Sequence, residues 1–323
     1  MVERGRGQAM KAGRQTTLRH TAELSGIGVH SGLPVTVTIH PAEADTGIVF
    51  LRNGRGECER EIRAQPTAVA ATEFATVLGD ESGPAISTVE HVMAALAGLG
   101  IDNALVELDG PEVPIMDGSA APFVAAIDAA GTAILPAARR YLRVLKSVGV
   151  VDRDCYGELR PHDGFRLEVE IDFDHPQVGK QAFSLDVEPA SFRRHLARAR
   201  TFGFTQDVAQ LWSAGYALGA TFENTVVVAE ERVLNPEGLR FPDEFARHKA
   251  LDALGDLALA GAPILGAYRS VRGGHRLNYA VLCALMADTT AWTMVEEREP
   301  VRRLRGHGEL GAMVQPAFAP DLS

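Results

Sequence analysis

A chain of 323 residues, 46% hydrophobic and 23% charged, can fill two domains of ordinary size and has the balance of a soluble globular enzyme. Its formal net charge of -10 argues against general nucleic-acid binding, so an anionic ligand would need a local cluster of Lys and Arg. Cys58, Cys155 and Cys283, an odd number without a CxxC pair, fit a reducing cytosol and argue against a disulfide framework or a thiolate zinc site. No apolar run approaches the roughly 20 residues of a membrane span, so stable membrane insertion is not expected. The opening MVERGRGQAMKAGRQ lacks the apolar stretch of a secretory signal and reads as a frayed basic tail.

In chain order, VTVTIH (35–40) alternates like a half-buried strand, and GIVFL (47–51) follows as another. STVEHVMAALAGLG (87–100) predicts a helix with Ser87 as N-cap and Gly98 or Gly100 near its end. NALVELDG (103–110) reads as a strand, and DGSAAPFVAAIDAAG (117–131) as a helix from near Ser119 to Gly131. LPAARR (135–140) reads as a linker. The same grammar then recurs. YLRVLKSVGVV (141–151) and FRLEVEIDF (165–173) read as strands, PDEFARHKALDALGDLALAG (242–261) as a helix, PILGAYRSV (263–271) as a strand, and GGHRLNYAVLCALM (273–286) as a closing helix. A duplicated strand-strand-helix-strand-helix unit is expected, with domains at 1–137 and 138–300 and a poorly ordered tail at 301–323. In such a duplication the two long helices pack together and His91 faces His248 at the junction, a common place for sites.

Three clusters stand out. His248, Asp252 and Asp256 are spaced four apart, which stacks them on one helical stripe. That stripe reads either as a solvated amphipathic face or as a helix supplying two ligands to one metal. Glu90 and His91 read either as a capping box closed on Ser87 or as an adjacent general base and metal ligand. His275 follows two glycines at a helix start, and a lone loop histidine is usually a surface residue. His30, in the Gly-rich SGIGVHSG, is placed to line a site. HExxH is absent, which excludes a zincin.

STVEHVMAAL, DNALVELDGPEVPIMDGSAAPF, ARTFGF, LRFPDEFARHKALDALGDL and GGHRLN resemble the UDP-3-O-acyl-N-acetylglucosamine deacetylases, zinc enzymes of the committed step of lipid A synthesis. The resemblance runs from about Thr16 to about Val295. It implies an α+β fold of two similar domains, each a sheet layered with helices, in a β-α-α-β sandwich. It implies one Zn2+ per chain held by His91, His248 and Asp252, with Glu90 as general base and His275 as general acid. Asp256 then orients His275, and Thr201 helps to stabilise the oxyanion. Lys249 and Phe202 match contacts near the sugar, and Phe173, in IDFDHP, matches the aromatic that stacks on uracil. Where the family pattern carries a lysine, this chain has Arg272, whose guanidinium would meet the diphosphate with different geometry.

The implied substrate is UDP-3-O-acyl-N-acetylglucosamine, hydrolysed to acetate and the free 2-amino sugar nucleotide by a cytoplasmic monomer. Residues 201–224 read as an apolar passage for the 3-O-acyl chain, because the first half carries an unrelated insertion at 71–84 instead. A zinc amidase for another N-acetylated sugar nucleotide is the alternative enzyme. A non-catalytic sugar-nucleotide-binding module would tolerate loss of Glu90 or His275, and both are present.

Overall fold

The computed structural model of the chain describes residues 13–52, 60–80 and 83–296. The expectations for the extreme termini and for Cys58 lie outside the described residues; Cys155 and Cys283 are free thiols. The first half runs β1 (Arg14–Leu18), β2 (Ala22–Ile27), β3 (Pro34–Pro41), β4 (Ile48–Arg52), β5 (Arg60–Arg63), β6 (Val69–Ala71), β7 (Val77–Leu78), α1 (Glu90–Leu99), β8 (Ala104–Leu108), α2 (Ala121–Ala130) and β9 (Thr132–Ala138). The second runs β10 (Arg140–Val144), β11 (Val148–Asp152), β12 (Cys155–Arg160), β13 (Phe165–Asp172), β14 (Lys180–Asp186), α3 (Pro189–His195), β15 (Phe202–Phe204), α4 (Val208–Ser213), β16 (Val226–Ala229), β17 (Arg232–Val233), α5 (Glu244–Leu257), β18 (Ile264–Val271), α6 (His275–Ala287) and β19 (Trp292–Glu296).

The two halves share one topology. The first sheet is ordered β2-β3-β8-β4-β5, with β8 antiparallel to β3 and parallel to β4. In the second, β18 takes the place of β8, antiparallel to β12 and parallel to β13, with β11 and β14 outside them. The β1–β9 pair of the first half likewise matches the antiparallel β10–β19 pair of the second. Alternation drives the burial: in β3 Val35, Val37 and Ile39 point into the core, as do Leu167, Val169 and Ile171 in β13.

The central helices lie between the sheets. Nine of the ten residues of α1 and twelve of the fourteen of α5 are buried, which rules out a solvated polar face for either. The helices pack directly on each other, and Gly255 makes this possible. A Cβ there would sit 2.0 Å from the Glu90 carbonyl oxygen, so no larger residue fits without parting α1 from α5.

Four sequence expectations are corrected. LPAARR is not a linker: most of it belongs to β9, and Pro136 is accommodated because β9, among the described residues, pairs only with β1, across a register irregularity. YLRVLKSVGVV is two strands, β10 and β11. The chain does not close on α6, since β19 follows and pairs with β10. The capping box on Ser87 is not formed: Thr88 has φ 61°, α1 begins at Glu90, and Ser87 bridges to Glu112 instead.

Candidate active site

His91 lies in the first turn of α1, and His248 and Asp252 lie one turn apart on α5. Close helix packing brings the two imidazoles edge to face, with centroids 5.0 Å apart. The Nε2 atoms of His248 and His91 stand 3.2 and 3.6 Å from the same oxygen, Oδ1 of Asp252. All three residues are at most 3% exposed, and Asp252 Oδ1 accepts no hydrogen bond. A buried carboxylate oxygen without a donor, faced by two imidazole nitrogens, is a costly arrangement unless a cation sits among them. Ligand atoms of the three residues lie within 4.8 Å of one another, so the set can hold a metal ion.

Local contacts prepare the ligands. His248 Nδ1 donates to the Ala199 carbonyl at 3.1 Å, which leaves Nε2 unprotonated and facing Asp252. Burial pushes its pKa down to about 3, so the imidazole is neutral, as metal binding requires. Burial opposes ionisation of Asp252, but the Lys249 ammonium, which donates to its Oδ2 at 2.9 Å, holds its carboxyl well below the usual range. Lys249 is itself charged: burial opposes its proton, and Asp252 outweighs that. The Ala199 segment is fastened to the start of α5 by Arg200, 1% exposed, whose Nε and backbone N–H donate to Glu244 at 2.9 and 3.0 Å.

Glu90 and His275 complete the cluster. Burial raises the pKa of Glu90, and its Oε2 accepts from the Thr76 N–H at 3.1 Å. His275 begins α6, where Nδ1 donates to Asp256 Oδ2 at 2.8 Å. Burial works against its proton, but the Asp256 charge and this hydrogen bond prevail and raise the pKa to about 9. Asp256 also accepts from Asn278 Nδ2 at 2.8 Å and from Thr76 Oγ1 at 2.6 Å. The Tyr268 hydroxyl donates to Asn278 Oδ1 at 2.6 Å and so fixes which way that amide points. One buried cluster thus offers three residues able to hold a metal ion, a carboxylate made basic by burial, and an imidazolium held by a carboxylate.

Around this cluster Phe202 stands 6.3 Å from the His248 ring and 5.7 Å from the Lys249 ammonium, and Phe173 packs against it at 5.7 Å. Thr201 is set by its N–H on the Gly118 carbonyl at 2.8 Å. His30 packs edge-on against Tyr216 at 5.3 Å; burial lowers its pKa, Glu112 opposes this, and His275 lowers it further. Arg272 is engaged elsewhere. Its guanidinium bridges Asp154 and Asp172 at 2.7 and 2.6 Å. A cavity of about 740 Å³ also lies away from this cluster, at the far ends of α1 and α5, beside Leu96, Leu254 and Leu257. It contains none of the groups with converging chemistry.

Sequence reasoning missed Thr76, Asn278, the Arg200–Glu244 pair and Glu112. Glu112 is 2% exposed and accepts from the His30 and Ser31 backbone N–H groups and from the Thr88 hydroxyl. Asn278, in GGHRLN, lies one turn beyond His275 on the same helix, a spacing that could have found it.

The family described as UDP-3-O-acyl N-acetylglycosamine deacetylase matches residues 15–287. Curated relatives named UDP-3-O-acyl-N-acetylglucosamine deacetylase include those of Brucella ovis and Brucella suis, each 49% identical over 283 residues, covering 87% of this chain and 98% of the relative. That of Brucella melitensis biotype 2 is 48% identical over the same length.

Proposed function

The chain belongs to the UDP-3-O-acyl N-acetylglycosamine deacetylase family, and from that premise we propose that it removes the N-acetyl group of UDP-3-O-(3-hydroxyacyl)-N-acetylglucosamine in lipid A biosynthesis, with one Zn2+ per chain. The observation that carries the reading is the donorless Asp252 oxygen facing His91 and His248, with Glu90 and the His275–Asp256 pair beside it. His91, His248 and Asp252 would hold the zinc. When bound, zinc supplies Lewis acidity, which lowers the pKa of a water and polarises the acetamide carbonyl.

The side chains supply the rest. Glu90, made more basic by burial, takes the proton of the attacking water. The Thr201 hydroxyl helps to hold the developing oxyanion. His275, protonated at neutral pH because its pKa is about 9, gives its proton to the departing amine, without which the C–N bond would not break. Asp256 keeps the imidazole oriented through Nδ1. Phe173 stacks on the uracil, while Phe202 and Lys249 contact the sugar and His30 lines the site. Arg272 reaches the diphosphate by releasing Asp154 or Asp172, both partly exposed. No helix among the described residues is long and apolar enough to cross a membrane. A cytoplasmic monomer of two domains, divided near residue 138, is part of the proposal.

Glu90→Gln tests the reading. The variant should bind one zinc per chain and lose nearly all deacetylation, read as acetate release. An active Glu90→Gln enzyme, or alanine variants of all three ligands that keep their zinc, would overturn it.

A further inference from the structure

Thr76 touches both sides of the reaction, yet nothing in its own sequence neighbourhood marks it. It is 2% exposed, next to β7, in the 71–84 segment that the second half lacks. Its carbonyl accepts from the Val89 N–H at the start of α1 at 3.3 Å. Its own N–H donates to Glu90 Oε2 at 3.1 Å, and its hydroxyl donates to Asp256 Oδ1 at 2.6 Å. We propose that Thr76 is a positioning residue for deacetylation, holding Glu90 and the Asp256–His275 pair in register through one backbone and one side-chain donor. The proposal rests on the roles given above to Glu90 and His275.

The proton count supports it. A threonine hydroxyl has one proton, and the geometry places it on Asp256. The 3.4 Å approach of the same hydroxyl to His275 Nδ1 is then a contact rather than a second donation, since that nitrogen donates to Asp256 Oδ2. Asp256 therefore receives one donor on Oδ1, from Thr76, and two on Oδ2, from His275 and Asn278. Removing the hydroxyl leaves Oδ1 buried without a partner, and a carboxylate free to turn carries the imidazole with it. The bond to Glu90 comes from the backbone and survives any side-chain change except proline.

Thr76→Val removes the hydroxyl and preserves shape and backbone. It should lower kcat by about 10- to 100-fold, the usual range for a supporting hydrogen-bond partner, with KM and zinc content close to the parent's and a melting temperature a little lower, since Asp256 Oδ1 loses its buried donor. Thr76→Ser restores the hydroxyl and should recover most of kcat. If the valine variant does not fold, Thr76→Ala takes its place in the same comparison. A valine or alanine variant at full kcat would overturn the proposal. So would a serine variant as slow as valine, because restoring the hydroxyl alone would then not restore the reaction. Glu90→Gln run alongside separates the two levels: inactive Glu90→Gln with fully active Thr76→Val removes only the positioning role, while active Glu90→Gln removes the reading beneath it.

Discussion

Glu90 and His275 are both buried, yet their protons are held in opposite senses. For Glu90 burial dominates and raises the pKa; for His275 burial is outweighed by Asp256, and the pKa rises to about 9. A base must be unprotonated and an acid protonated, so kcat/KM should be bell-shaped. Activity falls at low pH as Glu90 takes a proton and at high pH as His275 loses one. A divalent cation among the ligands pulls both values down, so the loaded enzyme's alkaline limb should lie below pH 9. Asp256→Asn should cut kcat and move that limb to lower pH, because the amide no longer favours the imidazolium, while zinc content stays near one per chain. An unmoved alkaline limb in this variant would mean that another group is the acid. His248, Asp252 and Asp256 were legible because helical spacing puts chemistry-bearing types on one stripe of α5, and His91 because it stands beside Glu90 at the start of α1. Thr76 was not, since its side-chain contacts with Asp256 and His275 lie 180 and 199 residues away and exist only after the halves close.

Among the elements, α5 carries most of the proposed metal site, and its first turn is anchored by a buried ion pair. Glu244 is fully buried and receives Arg200, which also fixes the carbonyl of Ala199 against His248. Arg200→Met would leave that carboxylate without its cation, a change that typically costs about 3–5 kcal/mol. Urea denaturation should show that loss, and competition with a zinc chelator should show weaker metal retention, because His248 loses its fixed tautomer. Stability within about 0.5 kcal/mol of the parent would show that Glu244 finds another partner. Helix positions were readable from apolar periodicity and glycine ends, as Gly100 and Gly261 confirm in left-handed caps. The edges of the sheets were less readable. In β9 proline and alanine hide a strand that pairs with β1, and β19 is identified by its partner β10 rather than by its own pattern. The Ser87 box had the right residues, but a left-handed Thr88 turns Glu90 toward Thr76.

Over the whole molecule, matching the halves strand for strand leaves two unmatched segments, one between β5 and α1 and one between β14 and α5. Each leads into a helix that carries part of the proposed metal site, and the two meet: Phe74 of the first packs on Tyr216 of the second at 4.8 Å. Around that contact Phe74, Trp212 and Leu218 are each more than half exposed, unusual for side chains so apolar and so near one another. Leu218 also lies against Gly32, two residues from His30. This surface fits the 3-O-acyl chain expected along residues 201–224. Burying each methylene is worth about 0.8 kcal/mol, so ten would supply roughly 8 before losses. Chain entropy and partial burial remove much of that. Each 1.36 kcal/mol that survives is about tenfold in rate, so kcat/KM for the acylated substrate should exceed that for UDP-N-acetylglucosamine by several powers of ten. Trp212→Ser should narrow the gap by slowing only the acylated substrate. Equal kcat/KM for the two substrates would remove the passage, and would leave a zinc amidase for another N-acetylated sugar nucleotide as the better account of the same metal site.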